Sequence, residues 1–244
     1  MIYIDHSSLS LFGREVELYG LVAVVGAVVI TLGNTWLAHR RGLDDSFAFR
    51  LSLLAAFSIT AFHVFFQNVL PQSAMLLFYA GGFAATVIVF WLGSRIFGHD
   101  GKAFTQLGML TVFGYSVTVK ISCMFAGCCY GPPWQGAVAL VYGADTHNPL
   151  PGVGLFPLQP VQVAAFLGIL IFGGWVFLKK RPSVLLMAAG ALNLAVYYTG
   201  ILISPDSGGD PAVLTGVVSV LFATAFGLFA YVIASVRKEH TQYE

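Results

Sequence analysis

The sequence predicts an all-α polytopic membrane protein: one bundle over 1–244 with seven transmembrane helices, the N-terminus outside and the C-terminus cytoplasmic. Three observations predict it. Of the 244 residues 57% are hydrophobic and only 9% are charged, where a soluble domain carries about a quarter charged residues. Apolar runs fall at about 18–38, 51–70, 74–97, 104–126, 160–178, 183–203 and 212–236, each near the roughly 20 residues that cross a bilayer core. Finally, the basic residues alternate between connections. Arg40, Arg41 and Arg50 flank the first connection, Arg95 and Lys102 the third, and Lys179, Lys180 and Arg181 lie in the fifth. Arg237 and Lys238 follow the last run, and the second, fourth and sixth connections hold no Lys or Arg. Ten of twelve basic residues therefore share one side, which the positive-inside rule makes the cytoplasm. A net charge of +1 gives no reason to expect a nucleic-acid partner.

The residues before the first run carry Asp5, Arg14, Glu15 and Glu17. They lack a basic segment followed by a short apolar core, so the first span is expected to act as its own insertion signal. Tyr19 opens that span and Asn34 lies near its inner end. His63 falls in the second span, Tyr79 in the third, Lys120 in the fourth, and Asn193, Tyr197 and Tyr198 in the sixth. The fourth connection, about 127–159, is the longest and is rich in Gly and Pro; a loop of that length beside a bundle is commonly functional. Its "AVALVY" stretch reads either as a short strand or as an interfacial segment. The sixth connection, "SPDSGGDP", reads as a solvated turn.

Lys120 carries the most chemical information. No Asp or Glu falls inside any span, and an unpaired buried ammonium costs several kcal/mol after relaxation. Three escapes exist: snorkelling to the interface, deprotonation, or an anion supplied from outside the protein. Lys120 lies about six residues, roughly 9 Å at helical rise, from the outer end of its span, so snorkelling is feasible. Ser116, Cys123 and Gly127 share its helix face by spacing, and such small residues would let a phospholipid phosphate approach the backbone. Three cysteines follow within ten residues of Lys120. Their C-x4-C-C spacing lacks the separated pairs usual for zinc. They read either as soft packing residues at a helix end or as thiols activated by the neighbouring Lys120. No metal and no cofactor is assigned.

Several stretches carry a resemblance. "ELYGLVAVVGAVV" at 17–29, "HRRGLDDSFAFRLSLLAAFSITAFHVFF" at 39–66, "FYAGG" at 78–82, "KISCMFAGCCYGPP" at 120–133 and "FPLQPVQVAAF" at 156–166 occur in the order of motifs in the prolipoprotein diacylglyceryl transferase family. The chain resembles a divergent member of that family, with a GCCYG-type signature in place of its G-R-x-G-N-F-x-N-x-E-x-x-G. Lys120 takes the arginine position, Cys123 and Ala126 those of the two asparagines, and Cys128 that of the glutamate. Tyr79 stands at the histidine of "FHGG", and Gln159 at the histidine of "HPTQLYEA", of which Pro160 and Gln162 remain. His63 stands where the family commonly has an arginine.

The resemblance implies a transferase that moves a diacylglyceryl group from a phospholipid such as phosphatidylglycerol to a lipoprotein cysteine or other thiol acceptor. It further implies a site facing the outer leaflet of a bacterial inner membrane. Lys120 would hold the departing phosphate as a point charge, without the bidentate grip of an arginine. His63 and Tyr79 would be the polar catalytic groups, His63 the stronger candidate because an unperturbed imidazole titrates near about 6.5. Tyr19, Gly81, Cys123, Gly127, Cys128, Tyr130, Gly131 and Gln162 would surround the donor. The alternative is a phospholipid-binding or lipid-moving protein that keeps the fold without catalysis.

Overall fold

The computed structural model describes residues 1–11, 14–69, 75–181 and 183–204, with side chains described for 1–9, 15–58, 82–181, 183–200 and 202–204. Three strands, β1 (Ile2–His6), β2 (Ser8–Leu11) and β3 (Arg14–Glu17), lead into α1 (Leu18–Arg41). Next come α2 (Asp45–Val69), α3 (Met75–Ile96) and α4 (Gly101–Ala126). The long connection holds β4 (Leu140–Asp145) and β5 (Gly154–Leu155), followed by α5 (Leu158–Leu178) and α6 (Ser183–Ile203). The protein is mostly helical, and neither of its small sheets closes on itself. Among the described residues, four helices, α1, α4, α5 and the Ser183–Gly200 part of α6, are long and apolar enough to cross a membrane. This is an integral membrane protein.

The helical expectation holds in the main, and small sheets are added to it among the described residues. β1 pairs parallel with β4, which pairs antiparallel with β5, while β2 and β3 form a separate hairpin. The second half of "AVALVY", Leu140, Val141 and Tyr142, is strand, and Ala137, Val138 and Ala139 lead into it. Ile4, Leu140, Tyr142 and Leu155 turn inward and form a small core with Tyr130, closed by Met124 and Leu150. Membrane-scale hydropathy is blind to such a cluster, because its strands are shorter than any span. The start of the chain and the 127–159 connection therefore lie together at one end of the bundle. α2 also begins a turn before the apolar run, since the Asp44 carboxylate accepts from Phe47 N at 2.9 Å and starts the helix through a polar stretch. The seventh span at 212–236 lies outside the described residues.

α4 is the axis of the bundle and packs against α1, α3, α5 and α6. It is closed at one end by Asp100, whose carboxylate accepts from Ala103 N, and at the other by left-handed Gly127. Glycines set its closest approaches: a Cβ on Gly26 would collide with Thr118, one on Gly108 with the Phe90 ring, and one on Gly173 with Leu110. Small residues at helix crossings are the membrane route to tight packing, since lipid offers no hydrophobic drive between helices. Buried polar ties reinforce these crossings. Asn34 donates to Ser52 Oγ at 3.0 Å and to Thr111 Oγ1 at 2.8 Å, joining α1, α2 and α4. At the basic end, Arg41 donates to Gln106 Oε1 at 2.6 Å and Gln106 donates to Ser183 Oγ at 2.9 Å.

Candidate functional site

Chemistry-bearing groups converge where α4 runs into the small sheet. Helical spacing puts Lys120 and Cys123 on one face of the last two turns of α4. Gly127, at φ +74°, then reverses the chain, with Cys128 N donating to Cys123 O at 3.2 Å. This left-handed stop needs glycine twice over, because a Cβ at Gly127 would also press on Asn148 Cβ and N at 3.0 Å. Cys129 follows at φ +53°, a conformation that costs a non-glycine residue of order 1 kcal/mol or more. The outcome is that the Sγ atoms of Cys123, Cys128 and Cys129 all lie within 4.8 Å of one another. All three are free thiols, Cys123 buried and the others half-buried.

Two side chains from the connection and α5 pin this turn. Asn148 Nδ2 donates to Gly127 O at 2.8 Å. Gln159, fully buried at the start of α5, donates to Cys128 O at 2.9 Å and to Tyr142 Oη at 3.0 Å. Gly131 permits a further close approach, since a Cβ there would stand 2.5 Å from Phe156 O. Tyr130 is buried in the sheet core beside the turn.

Lys120 is 1% exposed, so it does not snorkel to solvent through the protein surface. Its Nζ lies 4.8 Å from the centroid of the Tyr197 ring on α6, and among the described residues no carboxylate pairs with it. Its charge reaches the thiols. Cys129 is pulled down to about 2 by hydrogen bonds from Cys123 and then Cys128, with Lys120 adding to them against burial. Cys128 is pushed up to about 12: its hydrogen bond with Cys123 pulls down, but the one with Cys129, burial and the Cys129 charge together win. Lys120 thus pulls Cys128 and Cys129 alike toward the thiolate, and the hydrogen bonds among the three sulfurs favour Cys129. Burial, and then the neighbouring Cys128, push the Tyr142 phenol up.

The expected site residues divide into three groups. Tyr19 at the start of α1 lies within electrostatic range of all three cysteines, so Tyr19, Lys120, Cys123, Gly127 and Cys128 are brought together. Gln162 is buried one helical turn along from Gln159 and donates to Val196 O at 2.9 Å, tying α5 to α6. Its Oε1 and that of Gln159 are buried without a hydrogen-bond partner among the described residues. His63 lies on α2 and Tyr79 and Gly81 on α3, but their side chains fall outside the described set. Sequence reasoning missed Asn148 and Tyr142, which hold the turn from across the connection. The signal for Asn148 was Gly127 itself, because a left-handed helix stop exposes carbonyls that need a donor.

No family model matches the chain. A curated protein of Clostridium perfringens (strain 13 / Type A), named phosphatidylglycerol–prolipoprotein diacylglyceryl transferase 2, is 26% identical over 162 residues, 61% of this chain. That match spans 63% of the relative, a little under two thirds of its length. A protein of Clostridium tetani (strain Massachusetts / E88), named phosphatidylglycerol–prolipoprotein diacylglyceryl transferase, is 20% identical over 246 aligned positions. That alignment covers 94% of this chain and 97% of the relative. The chain is thus distantly similar to diacylglyceryl transferases, in one case along nearly its whole length.

Proposed function

We propose that the chain is a membrane transferase that moves a diacylglyceryl group from an anionic phospholipid such as phosphatidylglycerol to a thiol, by likeness that of a lipoprotein cysteine. Both relatives carry that donor and that class of acceptor in their names. The observation that carries the reading is Lys120, an almost fully buried cation with no carboxylate beside it among the described residues. Burying an ammonium costs several kcal/mol. The Tyr197 ring returns about 0.5–2 kcal/mol of that. The shortfall favours an anion. A phosphodiester supplies one, with oxygens that take charge-assisted hydrogen bonds.

In the proposed reaction the acceptor thiol loses its proton to a base and its sulfur attacks the glyceryl carbon bonded to the phosphate oxygen. The C–S bond forms, the C–O bond breaks, and the electron pair leaves on glycerol phosphate. Lys120 stabilises the charge that grows on that leaving group. His63, with Tyr79, is proposed to receive the proton. Gly81, Tyr19, Cys123, Cys128, Tyr130 and Gln162 are proposed to border the headgroup, over a turn that Gly127 and Gly131 allow to pack closely on Asn148 and Phe156. The transfer as written needs no cofactor. The proposed setting is a seven-span topology, N-terminus outside, in a bacterial inner membrane, with the site toward the outer leaflet and the 127–159 connection over the acceptor. Supporting it, Arg41, Arg95 and Lys102 lie at the end of the bundle opposite the small sheet.

The test is reconstitution of the chain with phosphatidylglycerol and a cysteine peptide, read by mass spectrometry and glycerol phosphate release. Wild type adds one diacylglyceryl mass, and Lys120→Ala lowers kcat/KM by about 10²–10³-fold, as loss of a charge-stabilising donor does. If no thiol acceptor gains mass while phospholipid still co-purifies, the non-catalytic lipid-binding reading replaces this one.

A further inference from the structure

We propose that Cys123, Cys128 and Cys129 form a trigonal thiolate site for one soft, thiophilic d10 metal ion, with Cu(I) as its preferred occupant. The inference goes beyond the transferase reading and does not depend on it.

Geometry carries it. The three Sγ atoms lie within 4.8 Å of one another. A metal at their centre with bonds of about 2.3 Å requires sulfurs about 4.0 Å apart, so the ring needs to contract by less than about 1 Å. Adjacent residues in an extended chain point to opposite sides, yet here Cys128 and Cys129 converge on Cys123. What makes them converge is the pair of left-handed residues, Gly127 at φ +74° and Cys129 at φ +53°. Packing of apolar side chains does not call for a strained cysteine. A site that needs three sulfurs on one centre does.

The surroundings are those of a held ligand set. Asn148 fixes Gly127 O and Gln159 fixes Cys128 O, so the two carbonyls that set the turn are both tied to neighbouring elements. Such outer contacts orient metal ligands as much as the ligands themselves do. Cys123 is buried while Cys128 and Cys129 are half-buried, which gives a closed floor and an open side for entry. Lys120, one turn before Cys123, offsets part of the negative charge that three thiolates carry in excess of the metal.

Donor chemistry selects the ion. Thiolates favour Cu(I) and zinc over hard cations. Zinc structural sites take four protein ligands, and among the described residues no histidine or carboxylate joins the three cysteines. Three sulfurs alone suit a three-coordinate ion, which favours Cu(I).

The experiment uses the whole reduced chain in detergent, without oxygen, titrated with Cu(I) against a chromophoric Cu(I) chelator and separately with Zn(II) against a zinc indicator. The expected result is one Cu(I) per chain, weakened at least 100-fold by each of Cys123→Ser, Cys128→Ser and Cys129→Ser. X-ray absorption on the wild type guards against misfolded variants, and the account expects three sulfur neighbours around copper at about 2.3 Å. Failure of the wild type to retain Cu(I) against the chelator would overturn the proposal, as would a copper shell of oxygen or nitrogen. Zinc bound by all three cysteines and not displaced by one equivalent of Cu(I) would overturn the assignment of the ion. Transfer activity is not read in any arm, so this result and that of the reconstitution assay are independent.

Discussion

Replacing Gly127 by alanine tests whether the turn at the end of α4 is held by its neighbours or only by its own backbone. Two costs add. At φ +74° an alanine pays the left-handed penalty, about 1 kcal/mol. Its Cβ would also stand 3.0 Å from both Cβ and N of Asn148, against the roughly 3.5–4.0 Å of comfortable contact. Asn148 must then retreat by about half an ångström, stretching the 2.8 Å bond it donates to Gly127 O, a loss of about 1 kcal/mol. The total is about 2 kcal/mol. Gly152 supplies the control: it has φ +77° but nothing within 4 Å of a built Cβ, so Gly152→Ala should cost only the first part. Thermal unfolding of the purified protein followed by circular dichroism compares the two. At about 2–4 °C per kcal/mol, Gly127→Ala should melt roughly 2–4 °C below Gly152→Ala. Equal melting temperatures would refute the claim that Asn148 braces the turn.

Asn34→Leu removes the donor to both Ser52 and Thr111 and should destabilise the bundle by about 1–3 kcal/mol, seen as a lower melting temperature with unchanged helix content. Gly26→Val drives a branched side chain into Thr118 and should cost about 1–3 kcal/mol as an overpacked contact; pairing it with Thr118→Ala should recover part of that loss. Gln159→Leu leaves Cys128 O and Tyr142 Oη without their donor. It should lower stability by about 1–2 kcal/mol and speed alkylation of Cys128 and Cys129 by a maleimide, read by peptide mass mapping.

The bundle was legible because membrane spans announce themselves by length and hydropathy, and α1, α4, α5 and α6 fall within a few residues of the apolar runs that predict them. Lys120 was legible for the same reason: a lone cation stands out in an apolar run. The small sheet was not. Its strands pair residues 2–6 with 140–145, a long-range parallel contact that no local pattern encodes, and its core of Ile4, Tyr130, Tyr142 and Leu155 reads in sequence as scattered apolar residues. The cysteines show a subtler limit. Their C-x4-C-C spacing lacks the separated pairs usual for zinc, and convergence depends on two left-handed residues, only one of them a glycine. The partner of Lys120 was equally hidden, because Tyr197 lies on α6 and meets α4 only through helix packing.

The central claim is that the buried Lys120 ammonium receives the phosphate of a phospholipid donor. A structure of the chain determined with phosphatidylglycerol bound tests it most directly, through the distance from Lys120 Nζ to the nearest phosphate oxygen. The account predicts a charge-assisted hydrogen bond of about 2.7–3.2 Å. A phosphate seated elsewhere, with Lys120 Nζ still over the Tyr197 ring and more than about 4 Å from any phosphate oxygen, would contradict it.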